Sequence, residues 1–102
     1  LRLSEEEDPA WAGFPGRAGY VHRLVVARSA VGQGVGAALL DWAQAQAAER
    51  GADALRLYCV EANRRLVDYY TQLGFTQVGT ARVPRAFDGA DVPVALLERR
   101  AD

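Results

Sequence analysis

The spacing of apolar residues along this chain alternates between a period of two and a period of about 3.6, which separates predicted strands from predicted helices. Short apolar segments bounded by Gly, Pro or Asp predict strands. The first predicted strand is represented only by its end, Leu1–Ser4, and four more follow at Tyr20–Val26, Ala54–Val60, Phe75–Ala81 and Val92–Glu98. The helical period predicts two helices, Gly34–Arg50 and Asn63–Leu73.

Each predicted helix has an apolar face and ends at a glycine, the residue that most often terminates helices. In the first helix the apolar face comprises Val35, Leu39, Trp42 and Ala43, and Gly51 follows the helix. In the second it comprises Leu66, Tyr70 and Leu73, and Gly74 follows. Both segments therefore predict surface helices that pack one side against a sheet.

The order of these elements is strand, helix, strand, helix, strand, strand, which predicts an α/β fold. The first strand–helix–strand unit should join two parallel strands by a right-handed crossover. Two segments, Pro9–Gly19 and Arg82–Asp91, have the Gly and Pro content of loops. We expect Trp11, in the first of these loops, to cover the core.

Length and composition restrict the function classes. The 102 residues suit a single domain, and the net charge of −1 without a basic stripe argues against nucleic acid as a partner. No apolar run reaches the roughly 20 residues of a membrane span. Cys59 is the one cysteine in the sequence, so no internal disulfide can form, and it fits a cytoplasmic location. We expect Cys59 to pack within its strand.

Three glycines, Gly32, Gly34 and Gly36, alternate with other residues where the first helix begins. Glycine tolerates positive φ and allows a ligand to approach the backbone closely. The helix start directs unpaired N–H groups and the positive end of the helix dipole to the same place. A tight turn needs fewer glycines, so the pattern favours a phosphate-binding loop.

The segment Gly32–Ala37 also fits the dinucleotide fingerprint G-x-G-x-x-A, with Glu61 further along as a ribose-binding acid. Two features argue against that alternative. Five residues, Ala27–Val31, separate the strand from the first glycine, whereas the dinucleotide fold places them almost adjacent. The chain also lacks the further β-α units of a doubly wound sheet.

Two segments resemble motifs of the GNAT superfamily of N-acetyltransferases. The segment VVARSAVGQGVGAALL resembles its acetyl-coenzyme A motif, and NRRLVDYYTQLGF resembles a later motif that ends in Leu-Gly-Phe. The two stand in the family's order with one strand between them. Val31 departs from the usual Arg or Gln, and Arg28 stands where proline is common. The resemblance implies a GNAT-like mixed sheet with flanking helices, truncated at the N-terminus, within one partial domain that spans residues 1–102.

The resemblance also implies roles for matching residues. The backbone N–H groups that would hold the pyrophosphate of acetyl-coenzyme A are those of Gln33, Gly34, Val35, Gly36 and Ala37, with Gly32 opening the loop. The backbone that would pair with the pantetheine arm is that of Leu24, Val25 and Val26. Asn63 would hydrogen-bond that arm. Tyr70 would protonate the departing thiolate, or else is a core aromatic.

The expected reaction is direct attack of a primary amine on the thioester, which calls for a general base or a water chain to remove the ammonium proton, and for no metal. Candidates for the base are His22 and Glu61, although a half-buried histidine and a solvated strand-end carboxylate are the plain alternatives. The acceptor would be a small-molecule or peptide amine, attracted by Asp88 and Asp91. A coenzyme A-binding module without catalysis is a second reading. The truncated sheet predicts a homodimer or complementation by a missing N-terminal segment.

Overall fold

A mixed five-stranded sheet forms the framework of the computed structural model, which describes residues 2–4, 9–14, 16–22, 34–84 and 89–100. The strands are β1 (Arg2–Ser4), β2 (Ala18–His22), β3 (Ala54–Val60), β4 (Thr76–Pro84) and β5 (Asp91–Arg100). The helices are α1 (Val35–Glu49) and α2 (Arg64–Gln72), and a 3₁₀ turn spans Pro9–Trp11. All the predicted helices and strands are present, with shifted ends.

The strands lie in the order β1-β2-β3-β5-β4. β2 and β3 are parallel, as predicted for the first strand–helix–strand unit, and the other neighbours are antiparallel. The β2–β3 pairing covers three residue pairs and reaches as far as Tyr20 and Arg56. Within the described residues, the second half of β3 extends beyond this pairing.

Both helices pack on one face of the sheet and form the helix-side core with it. Its buried members are Val21, Leu40, Ala43, Leu55, Leu57, Cys59, Val67, Tyr70, Phe75, Ala95 and Leu97. Cys59 is thus packed within its strand, as predicted. The helix-side core holds Tyr70 in place among buried aliphatic residues.

The predicted apolar face of α1 is wrong at Trp42, whose surface is 53% exposed. The buried face instead consists of Gly36, Leu40, Ala43 and Ala47, at helical spacing. The reason is close approach to the sheet, because a Cβ atom at Gly19 would stand only 2.7 Å from the Cβ of Ala47. Small residues therefore face β2, and the bulky indole of Trp42 is left outside.

The opposite face of the sheet carries a second core beneath the 3₁₀ turn. Its buried members are Trp11, Ala18, Tyr20, Ala54, Val94 and Leu96. Trp11 is fully buried and so covers the core, as expected. The buried Arg56 lies under this indole, where its Nε donates to Glu98 Oε2 at 2.8 Å and its Nη1 donates to the Tyr20 hydroxyl at 3.0 Å.

The predicted Arg82–Asp91 loop is shorter in the structure. β4 continues to Pro84 rather than ending at Ala81, and β5 begins at Asp91. Val83 pairs with Val92 in the extended hairpin, while residues 85–88 lie outside the described part. Pro84 fits at the end of β4 because, among the described strands, this outer strand has a neighbour on one side alone, and its other side needs no N–H donor.

Candidate functional site

A cleft of about 630 Å³ opens beside the second half of β3, beyond its pairing with β2. Strand β3, the start of α2 and the β4–β5 hairpin all contribute to its wall. The lining residues are Tyr58, Cys59, Val60, Asn63, Leu66, Tyr70, Val83, Pro84, Val92 and Val94. The wall is mainly apolar, with Asn63, Tyr58, Cys59 and Tyr70 as its polar groups.

Tyr70 is the cleft residue with the most perturbed proton affinity. It is 7% exposed, and its ring packs edge-on against Phe75 and Tyr69, with centroid distances of 5.8 and 5.3 Å. Burial raises the pKa of Tyr70 to about 12, with smaller contributions from Cys59 and Tyr69. Its hydroxyl has no hydrogen-bond partner among the described residues. Tyr70 therefore presents a neutral donor to the cleft.

Asn63 begins α2 and lies two helical turns before Tyr70. Its Oδ1 accepts a hydrogen bond from the backbone N–H of Leu66 at 3.2 Å, as is typical of a helix N-cap. This bond uses one of the two lone pairs of the side-chain oxygen and fixes the orientation of the amide. The NH₂ group of Asn63 can then donate to a ligand in the cleft.

The N-terminus of α1 begins at Gly34, whose φ of 76° lies in the left-handed region that favours glycine. The first bond of the helix runs from the N–H of Ala38 to the oxygen of Gly34 at 3.0 Å. The N–H groups of Val35, Gly36 and Ala37 thus have no acceptor within the helix. Among the described residues no side chain caps this end, and its first turn holds no acidic residue. An anion fits here by charge and by donor supply.

The structure brings Asn63 and Tyr70 into one cleft but does not bring Glu61 there. The Glu61 carboxylate accepts a hydrogen bond from Gln77 Nε2 at 3.3 Å and is absent from the cleft wall. His22 pairs through its backbone with Arg2 in β1, and its side chain lies outside the described part. Asp91 is exposed at the start of β5 and pairs with Pro84 of the cleft wall, but it does not itself line the cleft.

The remaining predicted site residues, Leu24, Val25, Val26, Gly32 and Gln33, lie outside the described residues, as does Asp88. The part of the chain that is described contains no group of three His, Cys, Asp or Glu side chains that could hold a metal ion. Neither of its helices has the length and apolar character of a membrane span.

Comparison with known proteins shows the family to which this chain belongs. The family model described as "Acetyltransferase (GNAT) family" matches residues 2–75. The chain belongs to the GNAT family. The fold class and the family resemblance predicted from the two motifs are thereby confirmed. Members of this family use acetyl-coenzyme A, and so the family favours this ligand over a dinucleotide.

Several relatives of this GNAT chain illustrate the likeness. It is 37% identical over 60 residues to "Uncharacterized N-acetyltransferase YesJ" of Bacillus subtilis (strain 168), a match that covers 59% of this chain and 33% of the relative. The crystal structure of nourseothricin acetyltransferase matches with a TM-score of 0.71 and 28% identity, over 83% of this chain and 51% of the other. The structure of yncA from Salmonella typhimurium with its cofactor acetyl-CoA matches with a TM-score of 0.64 and 19% identity, over 83% and 49% of the two chains.

The GNAT chain thus spans a third of this curated relative and about half of these two structures. Its cleft includes several residues that the sequence analysis did not single out, namely Tyr58, Val60, Val83 and Val92. The sequence contains a signal for two of these residues, because Tyr58 and Val60 alternate with the buried Leu57 and Cys59 along β3. That alternation places them on the sheet face opposite the helices, where they are exposed.

Proposed function

We propose that this GNAT chain forms the donor-binding part of an enzyme that transfers an acetyl group from acetyl-coenzyme A to a primary amine by direct attack. The observation that carries the proposal is the position of Tyr70, a buried residue that lines the same cleft as Asn63 and whose pKa is raised by burial. A phenol held in this state can donate a proton to a leaving group. The open N-terminus of α1 supplies the expected anchor for phosphates.

The binding roles follow from donors and acceptors. The N–H groups of 33–37 would hold the pyrophosphate, with Gly32 opening the loop. The backbone of 24–26 would pair with the pantetheine arm, and the NH₂ group of Asn63 would donate to an amide oxygen of that arm. These contacts would position the thioester beside Tyr70. Positioning of reacting groups accounts for a large part of the reduction in activation free energy that an enzyme achieves.

The chemical step needs few groups. Acetyl-coenzyme A supplies an activated acyl group on a thiolate that can leave. The neutral amine nitrogen attacks the carbonyl carbon, the carbon–sulfur bond breaks, and the electron pair goes to sulfur. Tyr70 donates a hydrogen bond to that sulfur, the attacking nitrogen loses a proton to a base, and the thiolate takes a proton from solvent, so that atoms and charge balance.

The pKa of Tyr70 limits what this donor can contribute. An ordinary thiol has a pKa of about 8.5, well below the value of about 12 for Tyr70. Complete transfer of the proton to a free thiolate is therefore unfavourable, whereas a hydrogen bond to the developing negative charge is favourable. We infer that Tyr70 acts mainly while the bond is breaking, and that the thiol acquires its final proton from solvent.

The acceptor is a primary amine on a small molecule or peptide. Nourseothricin acetyltransferase, by its name, acts on a small molecule, which supports the first class. Asp88 and Asp91 in and beside the β4–β5 hairpin would attract a cationic amine, and His22 or Glu61 would remove its proton. The Glu61 carboxylate would have to release Gln77 to do so.

A coenzyme A-binding module without catalysis is the second candidate. It is favoured by the position of Glu61, because this candidate base is hydrogen-bonded to Gln77 and is absent from the cleft wall. In either case, β1 at the sheet edge would pair with a second copy of the chain or with a segment that completes the sheet.

A binding measurement followed by a turnover measurement tests the proposal. Thermal unfolding of the chain should shift upward with coenzyme A but not with NAD. Incubation with acetyl-coenzyme A and a panel of primary amines should then release free thiol. Binding without release of thiol for every amine would favour the binding module. Stabilisation by NAD in place of coenzyme A would overturn both candidates.

A further inference from the structure

Arg99, near the end of β5, joins the two helices through its guanidinium group. Its Nη2 lies 3.1 Å from Asp41 Oδ1, and its Nε donates to Gln44 Oε1, so two successive turns of α1 are held. Its Nη1 donates to the backbone oxygen of Leu73, the C-cap of α2, at 3.0 Å. All three nitrogens of the guanidinium are therefore used.

Further contacts fix the side chain of Arg99 in this position. Gln44 Nε2 donates back to the Arg99 backbone oxygen at 3.2 Å, which closes a reciprocal pair. The guanidinium carbon lies 5.1 Å from the ring centroid of Phe75, within the range of a cation–π contact. The side chain is only 17% exposed. Lysine could not reproduce this arrangement, because its single ammonium cannot form the planar set of bonds.

The packing of the helices shows why such a link matters. α1 packs mainly on β2 and β3, whereas α2 packs on β4. In the described part of the chain, the side-chain hydrogen bonds that connect α1 with the end of α2 all pass through Arg99. Each helix also carries one part of the proposed site: α1 has the phosphate-binding N-terminus, and α2 has Asn63 and Tyr70.

We propose that Arg99 is a positioning residue that sets the distance between the phosphate-binding end of α1 and the thioester-binding face of α2. This inference rests on the proposed function. A ligand that spans both helices gains affinity because its second half binds at high effective concentration once the first half is bound. That gain depends on a fixed separation of the two subsites. Arg99 is absent from the wall of the cleft, so each half of the ligand should bind without it.

The test compares a fragment with the whole ligand by calorimetry, using the phosphoadenosine diphosphate part of coenzyme A and coenzyme A itself. In Arg99→Ala we expect the fragment Kd to stay within about twofold of the unchanged chain, while the Kd of coenzyme A rises about tenfold or more. Arg100→Ala is the matched control, because this neighbouring arginine is exposed and its ion pair with Glu98 spans 3.8 Å. Its two Kd values should not change.

Gln44→Ala provides a second test in case Arg99→Ala does not fold. It removes one hydrogen-bond partner of Arg99 and leaves the arginine bonded to Leu73 and Asp41. It should show the same selective loss to a smaller degree. Equal weakening of fragment and whole ligand, or no weakening of either in a folded variant, would overturn the positioning role. Failure of the unchanged chain to bind coenzyme A would instead refute the proposed function.

Discussion

Gly19 in β2 and Ala47 in α1 approach each other so closely that neither position accepts a larger side chain. A Cβ atom added to Gly19 would meet Ala47 Cβ at 2.7 Å and Leu3 Cδ1 at 3.0 Å. This contact sets how near α1 lies to the sheet. Because α1 begins after Gly34, the same contact helps to position the proposed phosphate-binding end of the helix relative to β2.

Gly19→Ala should lower the free energy of unfolding by about 1–3 kcal/mol, because it inserts a methyl group into filled space. Urea denaturation measures the change. Ala47→Gly removes the atom that the new methyl group would strike, although it costs about 1 kcal/mol through helix propensity. The double variant should therefore be more stable than the sum of the two single changes implies. Simple additivity would show that the two residues are not in close contact.

Tyr70→Phe should lower kcat by about 100-fold or less, because the ring still packs and only the proton donor is lost. The affinity for acetyl-coenzyme A should be nearly unchanged. Steady-state kinetics with a confirmed acceptor amine measure both quantities. Tyr69→Phe is the control, since adjacent helix residues face different directions and Tyr69 is 37% exposed. Full turnover in Tyr70→Phe, or equal losses in both variants, would return Tyr70 to a packing role.

The raised pKa of Tyr70 also predicts how stability depends on pH. Its pKa is about 12 in the folded chain, compared with an ordinary value of 10. Between these values the unfolded chain loses a proton that the folded chain retains, so higher pH favours unfolding. The stabilisation is complete below pH 10 and is lost towards pH 12, with a span of about 2–3 kcal/mol.

Urea denaturation from pH 9 to the alkaline limit checks this, with Tyr70→Phe as the reference. Over that pH window, the free energy of unfolding of the unchanged chain should fall relative to that of Tyr70→Phe. Cys59 has a pKa that is also raised by burial, but it is present in both chains, so its effect largely cancels. A difference that is constant with pH would mean that the Tyr70 hydroxyl is not desolvated.

Gly34→Val and Gly36→Val should each abolish coenzyme A binding. At Gly34 the reason is the backbone, because φ is 76° and valine resists the left-handed region, although its Cβ would meet nothing within 4 Å. At Gly36, on the buried face of α1, the branched side chain would enter the packed space against the sheet and displace the first turn of the helix. Gly13→Val is the matched control: φ is 87°, and its Cβ also meets nothing within 4 Å. Gly13→Val should show a comparable loss of stability with normal binding, measured by calorimetry.

β1 is an outer strand of the sheet, and such an edge can pair with another chain. We expect dimerisation, strand exchange, or binding of a segment that completes the sheet. Light scattering over a range of concentrations measures the mass of the particle. A monomer that persists at high concentration would contradict the expectation.

The sequence predicted the elements of this fold better than their packing. Period and glycine positions located both helices, because those signals are local. The buried face of α1 was not predictable, since an alanine-rich helix has a weak apolar stripe and the choice of face depends on the distant Gly19. The extension of β4 past Ala81 was missed because Pro84 resembles a loop residue, and only its pairing with Asp91 makes it part of a strand.

The residues of the candidate site likewise fall into those that the sequence could identify and those that only the fold brings together. Asn63, Tyr70 and the glycines at the start of α1 belong to contiguous motifs, so the resemblance could identify them. Val83 and Val92 face the cleft only because the hairpin brings two distant segments to the end of β3. The contacts of Arg99 could not be predicted from the sequence either, because its partners lie 58, 55 and 26 positions earlier in the chain.

The placement of β5 between β3 and β4 has a consequence for folding during synthesis. β3 and β4 leave the ribosome first, but β4 and the β5-facing side of β3 lack a partner until the segment Asp91–Arg100 emerges. The hydrogen bond of Arg56 to Glu98 likewise forms only after this segment emerges, as do the hydrogen bonds of Arg99 to the two helices. At a synthesis rate of about 5–20 residues per second, β3 would remain unpaired on that side for seconds, which is long enough for chaperones to bind it.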